Sequence, residues 1–334
     1  MLTRRQLLLA AAIGAAFSVR PASAAARAVS IALDWTPNTN HVGLFVAQAK
    51  GFYAEAGLAV QILPYTDSSA STLVANRVAD FGITGSIALF TQRTAGADLV
   101  ATYAVTQTET GRLVVNADRA DITRPRDLDG LTYGGFGSAW ENALIGTIIR
   151  HDGGKGEFRT VTLGTSAYQA LADGAVDFTL EVYTWEGVAA KLQGRSQRAF
   201  RYADYGVPDE HTSLIASSGA YLEGNGGIAS DFTAATRRGY AYAVAHPEEA
   251  ADLLVAANSD ALTDRALVRA SMRELVDGHY LQTAAGVVGT IDPAKMQAIG
   301  DFLFEAGILR DAGGNPVGQR PDFSRYYTNT YMGG

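Results

Sequence analysis

Cysteine is absent from this 334-residue chain. That excludes disulfides, thiolate zinc sites, iron–sulfur clusters and cysteine nucleophiles, and also a lipid-modified cysteine at a processed N-terminus. Basic residues are in the minority: 27 Lys and Arg stand against 34 Asp and Glu, for a formal net charge of -7. With no Lys/Arg run either, the chain has no electrostatic footprint for nucleic acid or an anionic membrane surface. Uninterrupted apolar runs of roughly 18 residues, the length that spans a bilayer, are also missing. What is present is globular: 47% hydrophobic and 18% charged residues, enough for one or two cores.

The first 24 residues read as an address. Arg4 and Arg5 form a twin-arginine pair, an apolar stretch runs from Leu7 to Val19, and Arg20-Pro21 ends it. Ala22-Ser23-Ala24 supplies a small-x-small cleavage pattern, so the cut is expected after Ala24. Losing Arg4, Arg5 and Arg20 leaves 24 basic and 34 acidic residues, a net charge of -10. The expectation is a periplasmic protein, exported by the twin-arginine route and not inserted in the membrane once mature.

The remainder alternates strand and helix patterns. Val29–Leu33, Val60–Pro64 and Phe81–Thr84 read as strands, with helices over His41–Lys50 and after Asp67-Ser68-Ser69. A second unit starts near Leu113, with strands at Leu131–Gly134, Val161–Leu163 and Ala175–Val182. Helices follow them at Ser138–Arg150, Ser166–Ala172 and Trp185–Leu192. From about Asp231, read as a helix cap, the pattern is helical. This is an α/β chain with mostly parallel sheets. Leu113–Asn116 and Leu214–Ser217 are the short apolar segments expected to cross between two lobes. Lobe 1 is then residues 25–112 and 213–334, and lobe 2 is residues 113–212. In such sheets ligands bind beyond the carboxyl ends of the strands.

Catalytic signatures are missing. Gly134-Gly135-Phe136-Gly137-Ser138 fails as a dinucleotide loop because Trp140 stands where a third Gly or Ala is needed. There is no Walker pattern, no His-Glu-x-x-His and no Gly-x-Ser-x-Gly. Asp209-Glu210-His211 follows Pro208 and reads as a solvated loop rather than a metal cluster. No metal, cofactor or enzymatic activity is expected.

Three constellations remain, all on strand-end loops. Asp34-Trp35 lies beside Asn38, Asn40 and His41. An exposed ring there stacks on a planar ligand, worth about 0.5–1.5 kcal/mol beyond its buried area, while polar groups fix orientation. The alternative is Trp35 as a core plug. Ser138-Ala139-Trp140-Glu141 is a capping box at a helix start, and the glycine loop ahead of it leaves N–H groups free for an acceptor. Tyr183-Thr184-Trp185-Glu186 sets two aromatics and a carboxylate at a strand-to-helix turn. Glu186 suits the amino group and ring nitrogen of an aminopyrimidine, or else only the helix dipole.

Leu33-Asp34-Trp35-Thr36-Pro37-Asn38-Thr39-Asn40-His41 resembles a motif of the periplasmic binding proteins related to fungal thiamine-pyrimidine synthase. Ala47–Tyr53, Phe81-Gly82-Ile83, Asp127–Gly130, Tyr183–Gly187 and Tyr327–Tyr331 extend the likeness to the C-terminus. The resemblance implies a two-lobed, type II periplasmic binding protein fold with a ligand cleft between lobes, serving an ABC importer. It implies a thiamine-precursor aminopyrimidine as ligand, chiefly formylaminopyrimidine or a hydroxymethylpyrimidine, or riboflavin in one branch. It implies ligand contacts at Asp34, Trp35, Tyr183 and Glu186, and a loop at Gly137-Ser138 against the ligand. Two positions depart from the pattern. Thr84 and Ala88 stand where the fungal enzyme has its cofactor lysine and its consumed histidine. Gly85, ahead of Ser86, stands where aminopyrimidine binders often carry Tyr, which opens space for a larger heteroaromatic. The expected ligand set is therefore Asp34, Trp35, Asn38, Asn40, His41, Gly85, Ser86, Gly137, Ser138, Trp140, Glu141, Tyr183, Trp185 and Glu186. The expected partners are a small heteroaromatic ligand and an inner-membrane ABC permease, with the protein itself a monomer. The rival of another class is an exported enzyme on the same scaffold, using Asp34, His41 or Glu186 as acid or base.

Overall fold

The structure, a computed structural model, describes residues 25–332. The export signal expected at residues 1–24 lies outside the described residues. Ten strands form two five-stranded sheets. The first sheet takes β1 (Arg27–Ala32), β2 (Leu58–Leu63), β3 (Phe81–Thr84), β4 (Val100–Ala104) and, later in the chain, β10 (Leu214–Ser217). The second takes β5 (Gly111–Asn116), β6 (Thr132–Gly135), β7 (Arg159–Thr162), β8 (Phe178–Val182) and β9 (Gln197–Arg201).

The spatial orders are β2-β1-β3-β10-β4 and β7-β6-β8-β5-β9. In each sheet one strand runs antiparallel to both its neighbours. In the first sheet it is β10, with Leu214 opposite Thr84 and Ala104; in the second it is β5, with Leu113 opposite Leu180 and Phe200. Those two strands are the apolar segments expected as crossings. They lie inside the sheets, and the passage between sheets is made by the residues just ahead of each, 105–110 and 206–213. Apolar strands are consumed by sheet pairing, whereas a crossing needs polar groups that can pair with its antiparallel mate.

That pairing is dense. The Val105 and Thr106 N–H groups donate to the Ser213 carbonyl at 2.9 and 3.3 Å. Thr110 N–H donates to Thr212 Oγ1 at 2.9 Å, and Glu109 N–H to Asp209 Oδ1 at 2.8 Å. Lys295 holds the same Asp209 carboxylate. His211 is buried, so it is not part of a solvated loop: Asp292 N–H donates to its Nε2 at 2.9 Å, and Nδ1–H donates to the Thr106 carbonyl at 2.8 Å. Burial pushes this imidazole down to about 4, which suits a ring whose one nitrogen must accept.

The first sheet is covered on both faces. One face packs Val42, Leu44, Phe232 and Tyr240, with the Phe81 and Phe232 rings stacked at 4.2 Å. The other packs Leu89, Phe90, Met296 and Leu303. The helix expected to start at Asp231 runs instead from Gly219 to Ala245, capped by Ser218, with a kink at Asn225. Asp231 sits on its side and pairs with Arg27 at 2.6 Å. Gly239 on this helix is required by close approach, because a Cβ there would stand 2.0 Å from the Gly43 carbonyl oxygen. The second sheet has its own core of Leu113, Tyr133, Ile145, Ile148 and Phe178. Among the described residues no helix is long and apolar enough to cross a membrane.

Candidate ligand cleft

The strand ends of the two sheets and the crossing segments enclose a cleft in two compartments, of about 550 and about 600 Å3. Phe136, Tyr168, Val182 and Thr212 line both, so the compartments adjoin.

The outer compartment begins where β1 ends. Asn38 caps a single turn at Thr39–His41: its Oδ1 accepts the Asn40 N–H at 2.9 Å, and its Nδ2 donates to the Thr36 carbonyl at 3.0 Å. Both ends of that side chain are therefore used in building the loop. His41 is buried beneath it. The Asn38 N–H donates to His41 Nδ1 at 3.2 Å, which leaves the ring proton on Nε2, 2.9 Å from Asp34 Oδ1. Trp35 is 41% exposed, its ring 5.2 Å from that of Tyr65; it lines the cleft and does not plug the core. Asn40 also lines it, and its Oδ1 is buried without a hydrogen-bond partner.

Facing these residues is the turn after β8. Tyr183–Gly187 is a π-helical turn, a local widening that recurs at binding sites. It turns Trp185 and Glu186 into the compartment. Glu186 Oε2 accepts the Val182 N–H at 3.2 Å, and burial pushes its carboxyl up to about 7. Tyr183 is absent from the lining of either compartment. Lys191 Nζ donates to its hydroxyl at 2.6 Å and lies over its ring, with Arg112 on the ring as well. Lys191 and Arg112 thus bracket the Tyr183 ring. Ser271 joins the two walls, with its Oγ 2.6 Å from Thr39 Oγ1 and donating to the Thr184 carbonyl at 2.5 Å.

The inner compartment is bounded by Gly85 and Ser86 at the end of β3, by Ser138, Trp140 and Glu141 on the opposite lobe, and by Glu109, Glu181 and Glu210. Ser86 Oγ donates to the His211 carbonyl. Glu141 is fully engaged. Its Oε1 accepts the Tyr133 hydroxyl at 2.7 Å and the Phe136 N–H at 3.2 Å; its Oε2 accepts Ser138 N–H at 2.6 Å and Ser138 Oγ–H at 2.8 Å. The capping box has therefore used the oxygens a ligand would need. Trp140 shows one side to the compartment and packs the other on the second-sheet core. Gly137, with φ +73°, shapes the loop but does not line the cleft.

Three acids here were missed in the sequence as site residues. Glu181 is buried in β8, and burial together with the Glu186 carboxyl pushes it up to about 7. Glu210 is 6% exposed; burial, with the Glu109 carboxyl beside it, pushes it well above the usual carboxylate range. The signal for Glu181 was a carboxylate within an apolar strand. Glu210 stood in the cluster taken for a solvated loop.

The family model for NMT1/THI5 like proteins matches residues 38–250, well over half of the chain. The chain belongs to the NMT1/THI5-like family. A formylaminopyrimidine-binding protein of Halalkalibacterium halodurans is 28% identical over 236 residues, 70% of this chain and 71% of that protein. Among solved structures, the periplasmic aliphatic sulphonate binding protein SsuA of Escherichia coli is similar at a TM-score of 0.66. It is 19% identical, over 90% of this chain and 91% of its own. The desulfurization enzyme DSZB is similar at a TM-score of 0.61, 15% identical over 92% of this chain and 97% of its own. The fold is the two-lobed α/β fold of periplasmic binding proteins.

Proposed function

We infer that this chain is the periplasmic solute-binding subunit of an ABC importer, capturing a thiamine-type aminopyrimidine or a related heteroaromatic and passing it to a permease. One observation carries the ligand class. Among the described residues, no Lys or Arg lines either compartment, whereas Asp34, Glu186, Glu109, Glu181 and Glu210 do. Such a cleft repels sulfonates and phosphates and selects a ligand rich in donors. An aminopyrimidine meets it well. Its flat ring stacks on Trp35, and its amino group donates to Asn40 Oδ1 or Asp34. A carboxyl poised near 7, as at Glu186, accepts from the amino group when ionised and donates to the ring nitrogen when protonated.

The family membership and the relative from H. halodurans support this reading. DSZB has a similar fold and is an enzyme, so fold alone does not separate capture from turnover. Capture is favoured by the state of the candidate acid–base groups: His41 and Asp34 are locked to one another, and Glu186 bonds its own turn. Closure about the paired crossing segments would bury the ligand and present a new face to the permease. The closed state gains population by as much as the ligand prefers it.

The test is a tryptophan-fluorescence titration with formylaminopyrimidine, followed by mass analysis of the recovered ligand. A saturable change at micromolar ligand, with the mass unchanged, is the expected result. No response from the folded protein overturns the aminopyrimidine and leaves riboflavin-sized ligands, for which Gly85 leaves room.

A further inference from the structure

Among the described residues, the inner compartment is lined by acids and by no Lys or Arg; Lys191 and Arg112 act on Glu181 from outside the lining. Glu109, Glu181 and Glu210 are each about 95% buried and line it together. Glu109 has internal partners: it accepts the Gly111 N–H and the Thr212 hydroxyl, the latter at 3.1 Å. Glu210 Oε2 is buried and, among the described residues, no donor reaches it with hydrogen-bond geometry; the groups beside it are the Glu109 carboxyl and the Ser86 hydroxyl, and that hydroxyl donates to the His211 carbonyl. The cations close by are occupied elsewhere. Arg112 donates to the Glu109 and Gly111 carbonyls and to the Tyr280 hydroxyl at 2.9 Å. Lys295 is bound to Asp209 and to the Gln107 carbonyl. Among the described residues no ion pair joins any of the three glutamates to Lys, Arg or His. A buried acceptor without a donor is unfavourable, and fold-building gives no return for it, because Glu109 and Glu141 already serve the local backbone.

We propose that the inner compartment is a cation subsite, and that the ligand is a heteroaromatic ring carrying a protonated amine arm, the ring on Trp35 and the arm against Glu210. This deepens the aminopyrimidine reading and rests on it. The two compartments adjoin at Phe136, Tyr168, Val182 and Thr212, so a ring in the outer one can send a substituent inward. An ammonium supplies both missing quantities, the donor for Glu210 Oε2 and the charge that lets the glutamates ionise. Glu109, Asp209 and Tyr202 act on Glu210 or feel its charge, and the cations beside them, Arg112 and Lys295, are held by other partners.

The test uses two compounds that differ only at the arm: 4-amino-5-aminomethyl-2-methylpyrimidine, which carries an ammonium, and its neutral N-formyl derivative. Calorimetric titration of the wild-type chain at pH 7.5 is expected to give the amine a Kd at least about tenfold lower. In Glu210→Gln the ratio is expected to fall to about one. Equal binding of the two compounds, or tighter binding of the formyl compound, overturns the cation subsite and leaves the pyrimidine reading standing. Binding of neither overturns both. A preference that survives in folded Glu210→Gln also overturns the assignment. If that variant fails to fold, Gly85→Tyr fills the same compartment and is expected to abolish the preference; retention there counts against the proposal equally.

Discussion

His41 Nε2 stands 2.9 Å from Asp34 Oδ1, beneath a loop whose backbone N–H at Asn38 fixes the ring from the other side. The half-buried carboxylate of the motif is thus held by a buried imidazole, so in the proposed binding mode His41 acts on the ligand through Asp34. His41→Asn keeps a polar side chain but is too short to reach. Its expected effect is a loss of about tenfold in ligand affinity, ~1.4 kcal/mol. Calorimetry checks this against Asp34→Ala: if His41 works through Asp34, the double variant should bind no worse than Asp34→Ala alone.

Trp35 is 41% exposed and rests on Tyr65. Its truncation removes a stacking face and little core. Trp35→Ala is expected to lose most ligand binding while the melting temperature moves by only a few degrees. Wild-type affinity in that variant would place the ligand elsewhere in the cleft.

Glu186 tests the turn after β8. Glu186→Gln keeps an acceptor for the Val182 N–H, now at 3.2 Å, and removes the ionisable group. An amino-bearing pyrimidine is expected to bind at least about tenfold more weakly, ~1.4 kcal/mol. An unchanged Kd would mean that Glu186 serves only its own turn.

The raised acids make a pH prediction with a definite sign. Glu181 has an ordinary value of 4.5 and is pushed up to about 7 in the fold by burial and by Glu186. The folded state therefore holds a proton that the unfolded chain has released. The contribution to stability is complete below about 4.5 and is lost as pH rises through about 7. Glu181→Gln removes that loss. Its melting temperature is expected to match wild type near pH 5 and to exceed it by about 5 °C at pH 8. Scanning calorimetry of the ligand-free chain at both pH values checks it. A constant difference between the two would show that Glu181 titrates normally.

How far the sequence could be read depended on whether a residue's role is local. Strand and helix positions set by periodicity and caps, such as Phe81–Thr84 and the Ser138 capping box, were legible because neighbours in sequence determine them. So was the Asp34–His41 motif, in which the bonds of the Asp34, Asn38 and His41 side chains stay within eight residues. The setting of Tyr183 was not legible, because Lys191 and Arg112, one from a helix turn and one from another strand, bracket its ring. Glu109 and Glu210 were invisible as partners, since only pairing of residues 105–110 with 206–213 brings them together. Glu210 was read as solvated for the same reason: a Pro-Asp-Glu-His run looks exposed until the second crossing segment buries it.

Gly85 is the position proposed to set ligand size. It lies at the end of β3 with φ -79°, a conformation open to any residue, and a Cβ there would meet only the Thr212 carbonyl oxygen at 3.4 Å. The side chain would project into the inner compartment of about 600 Å3. Gly85→Tyr is therefore expected to fold, to fill much of that space and to add a second ring face near the ligand. Binding of a single-ring aminopyrimidine with a neutral arm is expected to persist or tighten, while the advantage of an ammonium arm and any affinity for riboflavin, whose three fused rings need both compartments, are lost. Competition between the two ligands, measured in wild type and variant, separates the outcomes. If riboflavin binds the variant as well as the wild type, the inner compartment does not receive the ligand, and Gly85 is an idle departure from the family pattern rather than its size filter.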